Sequence, residues 1–184
     1  MAAPTYIQTA QTTNYSGITP SIKTTTSFPV QTGDLLIAYG IVEDGLSGLP
    51  ALAVSGGGLT WTSVVQAWIF SSFPYVEIWQ ATATSNTSIT VTFDAAADNG
   101  TYAWGGAVAT FRGATGVGVS GFDNTTGTPD LDLTTQAANS AFLFASGDWN
   151  VTSGASRDWI QVNGLEPTET TYALVASRMT AYGA

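Results

Sequence analysis

The segment 32–39, with the sequence TGDLLIAY, decides the fold class of this chain. After a Thr-Gly turn and Asp34, the residues from Leu35 to Tyr39 form an almost uninterrupted apolar run. A short run of this kind, opened by turn residues, is typical of a central strand that is covered on both faces. The segment therefore predicts a strand inside a sheet, with further structure on each side.

The rest of the chain shows the two-residue period of β-strands. Ile89, Val91 and Phe93 alternate with Thr90 and Thr92, which predicts a half-buried strand whose threonines face solvent. Further strands are predicted over residues 59–65, 75–79, 102–111, 141–145 and 172–175. Glycine-rich turns separate these segments, and helix signals are weak. We therefore expect an all-β chain, a two-sheet antiparallel β-sandwich of jelly-roll-like topology.

The composition excludes several classes of function. The chain has no His and no Cys, and only 9% of its residues are charged. A Ser-His-Asp triad, a thiol nucleophile and the usual zinc sites are therefore excluded. Four basic residues against 13 acidic ones give a net charge of −9 and cannot form the basic surface that nucleic acids require.

Membrane and export signals are also missing from the sequence. No window approaches the roughly 18 uninterrupted apolar residues of a spanning helix. The first residues lack the basic and apolar regions of a signal peptide. We therefore expect synthesis in a cytoplasm, with no membrane partner.

Two halves of the chain resemble each other weakly. We expect an N-terminal strand or arm over residues 1–23 and one sandwich domain over 24–184, with halves at about 24–115 and 116–184. Segment 33–39 has a counterpart at 139–145, although any two β-hairpins of this composition would look alike. If the repeat is real, the second half lacks its last two strands. Those strands would be missing or supplied by a neighbouring subunit, because an open sheet edge invites pairing.

Carboxylates are the only side chains left for catalysis. Glycoside hydrolysis needs two of them, roughly 5 to 9.5 Å apart. Glu77 is the best candidate, with Glu43, Asp44 or Asp148 at strand ends as its partner. Because Glu77 lies between apolar residues of a predicted half-buried strand, we expect it to face solvent. A glycosidase is therefore the weakest functional hypothesis, and we expect no enzyme.

Three aspartates are candidates for an oxygen-only calcium site: Asp123, Asp130 and Asp132. Their spacing matches no EF-hand loop, and aspartate in such loops commonly forms local turns. We therefore expect no cofactor and no metal, with calcium as the alternative.

The six tryptophans divide into core and surface candidates. Those in predicted strands with apolar neighbours are expected in the core: Trp61, Trp79 and Trp104. Trp149 lies instead between Asp148 and Asn150, whose polar groups can hydrogen-bond a ligand. These three residues are the candidate glycan contacts. The apolar segment after Ala67 predicts a hairpin tip that contacts another subunit through Trp68, Phe70 and Phe73.

Several segments together resemble a β-sandwich domain of minor tail and other virion surface proteins from phages that infect actinobacteria. The resemblance covers residues 24–184 and rests on TGDLLIA (32–38), GGGLTWT (56–62), YVEIWQATAT (75–84) and WGGAVATFRG (104–113). LDLTT (131–135) and ANSAFLFASGDWN (138–150) agree with it. Members of that group continue with a further glycine-rich strand pair, in agreement with the incomplete second half.

The resemblance implies that the chain is part of an assembly. None of the shared segments contains a catalytic motif. We therefore expect a virion structural protein, either a tail or fibre component or a capsid decoration protein. Its partners would be other virion proteins and further copies of the chain, with a trimer or a lattice favoured. A module that binds host cell-surface glycans is the main alternative.

Overall fold

The computed structural model describes residues 4–12, 22–42, 52–67, 75–95, 104–123, 132–134, 140, 143–148, 168–173 and 178–183. Its strands are β1 (Thr5–Gln11), β2 (Ile22–Thr24), β3 (Phe28–Val30), β4 (Leu35–Val42), β5 (Ala53–Gly56), β6 (Thr62–Ala67), β7 (Tyr75–Thr82), β8 (Thr87–Ile89), β9 (Val91–Asp94), β10 (Trp104–Arg112), β11 (Leu143–Asp148), β12 (Thr168–Ala173) and β13 (Arg178–Gly183). The described residues are all-β, as expected. They include no helix that is both long and apolar enough to cross a membrane.

The largest sheet has five antiparallel strands in the order β1-β10-β4-β7-β6. The predicted central strand, β4, lies in its middle. All residues from 34 to 40 are buried, so the prediction of a strand covered on both faces is confirmed.

A smaller layer is formed by β2-β9-β5 and β3-β8. Only Thr90 separates β8 from β9. Ile89, Val91 and Phe93 are buried, whereas Thr90 is exposed and Thr92 is partly exposed. The predicted alternation along this segment is therefore confirmed.

Apolar side chains from both layers meet in one core, which we call the inner core. Its members include Phe28, Val30, Leu36, Ala38, Leu52, Tyr75, Trp79, Ile89, Val91, Phe93 and Val108. Phe93 packs edge-on against Trp79, at 6.4 Å between ring centroids and 73° between ring planes. The two layers thus pack face to face, and the sandwich prediction is confirmed.

The fit between the layers depends on Gly106. Its partner across the sheet is Gly40, and together they leave room for the ring of Phe93. A Cβ atom built at Gly106 would lie 2.5 Å from that ring, closer than any ordinary contact. Glycine is therefore required here by the close approach of an aromatic ring.

The outer face of the large sheet is buried as well. Its apolar cluster contains Leu35, Ile37, Tyr39, Val76, Ala107, Ala109 and Phe111. Tyr6, Ile78 and two residues that follow β10, Ala114 and Val117, pack against it. The chain after β10 is fixed there, because the Val117 amide donates to Gln80 Oε1 at 3.2 Å and the Ser120 hydroxyl to the Val64 carbonyl at 3.4 Å.

Several strand boundaries differ from the predictions. The predicted strand 59–65 begins at Thr62, after a glycine turn. The predicted strands 141–145 and 172–175 correspond to β11 and β12, which both pair with β13. Several pairs of successive strands lie in the same layer, β2 with β3, β6 with β7 and β8 with β9, and β11, β13 and β12 form a separate sheet. The jelly-roll topology and the repeat of two halves stay predictions.

Candidate functional site

Glu77 is the carboxylate that sequence analysis singled out for catalysis, and the prediction that it faces solvent is wrong. Its side chain is only 4% exposed. It lies on the same face of β7 as Tyr75 and Trp79, which belong to the inner core. Because β7 is covered on both faces, neither of the two alternating sets of side chains around Glu77 faces solvent.

Three neutral donors surround the Glu77 carboxylate. Oε1 accepts hydrogen bonds from the Ser63 hydroxyl at 2.7 Å and from Gln66 Nε2 at 2.9 Å. Oε2 accepts one from the Tyr75 hydroxyl. A buried carboxylate without such donors would be strongly unfavourable, so this arrangement makes its burial possible.

A β-bulge in the edge strand β6 creates this geometry. The register between β6 and β7 shifts between Ser63 and Val65, which leaves Val64 as the extra residue. Ser63 is opposite Trp79 and Gln66 is opposite Glu77, so both donors lie on the inner face although they are three residues apart. Both donors are exposed, whereas Glu77 is buried.

The Tyr75 phenol is the buried donor of the group. Burial is the main cause that raises its pKa, and the hydrogen bond to Glu77 and the charge of Glu77 raise it further. Tyr75 therefore remains a protonated donor at neutral and moderately alkaline pH.

A glycosidase would need a second carboxylate beside Glu77. The side-chain hydrogen bonds of Glu77 all come from neutral groups. Of the proposed partners, Glu43 and Asp44 lie outside the described residues. Asp148 ends β11, where it pairs with Arg178 in the ladder. The catalytic pairing stays a prediction.

The remaining predicted sites fall mostly outside the described part of the chain. This applies to Trp68, Phe70, Phe73, Asp130, Trp149 and Asn150. Asp123 and Asp132 are exposed. Among the described residues, no group of three or more acidic side chains is placed to hold a metal ion.

Two of the tryptophans expected in the core have described side chains. Trp79 is buried in the inner core, as predicted. Trp61 is half-buried and packs against that core, and its indole N–H donates to the Gly56 carbonyl at 3.3 Å. Trp104 begins β10.

An ion pair between Asp34 and Arg112 was not predicted from the sequence. Arg112 donates to both oxygens of Asp34, at 2.9 and 3.0 Å, and the Gln31 amide adds a third hydrogen bond at 2.8 Å. These bonds hold the pKa of Asp34 below its ordinary value of 3.8, with the Arg112 hydrogen bond as the largest cause. Asp34 is 1% exposed and Arg112 is 43% exposed, so the pair links the start of β4 to the end of β10 at the protein surface.

A second missed feature is a pair of buried threonines that we call the threonine corner, Thr12 and Thr25. They form an isolated antiparallel bridge between the two layers. The Thr12 amide donates to the Gly106 carbonyl at 2.9 Å, and the Gly106 amide donates back to the Thr12 hydroxyl at 3.3 Å. Thr25 makes the same ring of two bonds with Val91, at 2.9 and 3.1 Å. This side of the sandwich is therefore closed.

Lys23 is the single lysine of the chain and lies on β2, opposite Phe93. It is buried, and loss of solvation lowers its pKa to about 8. Its position inside the small layer excludes it from any basic surface patch.

The described residues thus include a buried carboxylate with neutral donors, an ion pair between Asp34 and Arg112, the threonine corner and a buried lysine. Comparison of the chain with protein-family models, with curated proteins and with solved structures found no match.

Proposed function

We propose that this chain is a structural domain of a bacteriophage virion, either a minor tail or fibre component or a capsid decoration protein, which acts through protein–protein assembly. The resemblance of residues 24–184 to virion surface domains is the starting point. The observation that carries the proposal further is an exposed apolar pair on a fixed segment.

That pair follows β10. Phe122 is 52% exposed and Val119 is 38% exposed. The segment that bears them is bound to the outer face of the large sheet through Val117 and Ser120. A large aromatic side chain exposed beside a segment that is bound to a sheet is typical of a contact with a neighbouring subunit.

Four buried polar residues support assembly over catalysis. Asp34, Thr12, Thr25 and Glu77 all form hydrogen bonds with groups of the same chain. Such internal bonding makes a rigid scaffold, which a symmetric or lattice assembly needs.

Sedimentation velocity over a wide concentration range tests the proposal. We expect an oligomer, with a trimer favoured, whose dissociation constant rises about tenfold or more in Phe122→Ser, since a buried interface aromatic contributes more than 1.4 kcal/mol. Ile22→Ser is the matched control, because Ile22 is also an exposed apolar residue but lies on β2.

Electron cryomicroscopy of purified phage particles gives the second test. We expect many ordered copies of the domain on the particle surface. A chain that stays monomeric at all concentrations and is absent from particles would refute the proposal.

A further inference from the structure

The inner face of β6 is less covered by the small layer than the inner faces of β4 and β10. The small layer contributes Phe93 and Leu52, which lie over Gly40 on β4, and Phe93 also lies over Gly106 on β10. In the described part of the chain, no residue of β6 belongs to the inner core. Ser63 and Gln66 on that face are exposed accordingly.

We use the name β6 ledge for four polar and aromatic side chains on and behind this face: Trp61, Ser63, Gln66 and Glu77. Trp61 is half-buried at the start of the ledge and Glu77 is buried behind it. An aromatic ring beside a hydroxyl, an amide and a carboxylate is the combination that binds polyhydroxyl ligands, because rings contact apolar C–H faces and the polar groups bond hydroxyls.

The ledge is held in position before any ligand arrives. Glu77 Oε1 fixes both Ser63 and Gln66, and the Gly56 carbonyl fixes the Trp61 indole. Fixed side chains lose little conformational entropy on binding, which favours affinity.

Hydrogen-bonding capacity remains on the exposed side. Within the described residues, Gln66 uses one amide N–H, towards Glu77, and its second N–H and its carbonyl oxygen make no hydrogen bond. The Ser63 hydroxyl donates to Glu77 and keeps its acceptor lone pairs.

The charge of the protein selects the class of ligand. The chain carries a net charge of −9, and the ledge has a carboxylate at its back. Two of the four basic residues are committed elsewhere, Arg112 to Asp34 and Lys23 inside the small layer. The net negative charge therefore disfavours an anionic ligand at the ledge.

From these contacts we infer that the β6 ledge is a binding site for neutral saccharides. Gln66 and Ser63 bond sugar hydroxyls, Trp61 contacts a sugar face, and Glu77 acts as a positioning residue that orients the two donors. The inference is independent of the assembly role.

Titration of the 15N-labelled full chain with neutral hexasaccharides of glucose, mannose, galactose and N-acetylglucosamine tests the inference. We expect at least one of the four to shift the Gln66 side-chain amide and the Trp61 indole signal. Gln66→Ala should raise the dissociation constant about tenfold, the effect of one lost hydrogen bond. A sulfated hexasaccharide should leave both signals unchanged.

Thr62→Ala is the matched control, because Thr62 is exposed on β6 but lies on the opposite face, across from Gln80. It should bind like the unmodified chain. The site is refuted if no hexasaccharide binds at about 10 mM, if the shifts lie away from the ledge, or if Gln66→Ala and Thr62→Ala bind alike. Gln66→Ala should still unfold in one cooperative thermal transition with only a small drop in melting temperature, because water can replace the lost donor to Glu77. This separates a lost ligand contact from a disrupted fold.

Discussion

The threonine corner and the β6 ledge bury polar groups at opposite edges of the large sheet, one at β1 and the other at β6. At the corner, Thr12 and Thr25 are buried together with the amides that they bond. At the ledge, Glu77 is buried but two of its donors are exposed. The corner thus links the two layers, whereas the ledge leaves the inner face of β6 open.

The difference follows from the kinds of group that are joined. The corner uses short side chains that bond backbone amides of the neighbouring strand, so removal of a hydroxyl leaves an unsatisfied buried N–H. The ledge joins side chains to side chains at a bulged edge strand, where water can replace a lost partner. Substitutions at the threonine corner should therefore destabilise the whole domain, whereas substitutions at the β6 ledge should mainly affect the local stability of β6.

The largest effect is expected from Gly106→Ala, because Gly106 belongs both to the corner and to the contact with Phe93. The new methyl group would overlap the Phe93 ring, and overpacking of this kind costs about 3 kcal/mol. Urea denaturation should show a lower midpoint with an unchanged slope. Gly40→Ala is the control, since its Cβ would meet its nearest neighbour at 3.2 Å and should cost less.

A second variant separates overlap from other causes. Phe93→Leu removes the ring that Gly106→Ala would strike, so the double variant should lose less stability than the sum of the two single changes. Strict additivity would show that the Gly106–Phe93 contact is not the source of the loss.

The next effect is expected from Thr25→Val, which preserves shape and leaves the buried Val91 amide without its hydroxyl acceptor. We expect a loss of about 2 kcal/mol in the free energy of unfolding. Thr24→Val, at an exposed neighbouring position, should change stability by less than about 0.5 kcal/mol. Equal stability of the two variants would show that the hydrogen bond from the Val91 amide to the Thr25 hydroxyl does not stabilise the fold.

The ion pair between Asp34 and Arg112 links the start of β4 to the end of β10 and can be tested in the same way. Asp34→Asn should cost about 1 to 2 kcal/mol at pH 7, because Arg112 and the Gln31 amide lose a charged acceptor and solvent partly replaces it. The folded pKa of Asp34 lies below its unfolded value, so its contribution is complete above about pH 4 and is lost as the pH falls through the folded value. The difference in the free energy of unfolding between the unmodified chain and Asp34→Asn should therefore become smaller as the pH falls.

Chemical denaturation at a series of pH values measures that gap. The difference in the free energy of unfolding between the unmodified chain and Arg112→Gln should also become smaller in acid, because Arg112 is the group that mainly lowers the pKa of Asp34. A gap that stays constant from neutral pH to below pH 3 would mean that Asp34 is not ionised in the fold.

Much of the architecture could be predicted from local periodicity. The apolar run at 35–39 predicted a strand buried on both faces, and the alternation at 89–93 predicted the strand of the small layer that faces the inner core. The pairings could not be predicted, because they join residues far apart in sequence. Thr12 and Gly106 are 94 residues apart, and Thr25 and Val91 are 66 apart. A threonine in a Thr-rich chain carries no local sign that its hydroxyl caps a distant amide.

The orientation of Glu77 was wrongly predicted although a signal was present. The prediction assumed one apolar and one solvent face for β7. Apolar residues occupy both alternating sets around Glu77, namely Tyr75 and Trp79 in one set and Val76 and Ile78 in the other. A strand of that kind is covered on both sides, so a carboxylate within it must be buried and hydrogen-bonded. The bulge that brings Ser63 and Gln66 to Glu77 lies in the neighbouring strand β6, and no sequence pattern there predicts it.

The smallest effect on global stability is expected from Glu77→Gln at the ledge. The amide retains one oxygen acceptor, and the Tyr75 hydroxyl can accept from the new N–H, so the loss should be about 1 kcal/mol. The local effect should be larger: hydrogen exchange at β6 amides should quicken while β4 amides keep their protection, because an edge strand opens before the central one. Thr25→Val should instead raise exchange in β4 and β6 together, since it weakens the link between the layers. If Glu77→Gln raised exchange in β4 as much as in β6, the ledge would be part of the same cooperative unit as the corner, and the contrast between the closed and open edges of the large sheet would fail.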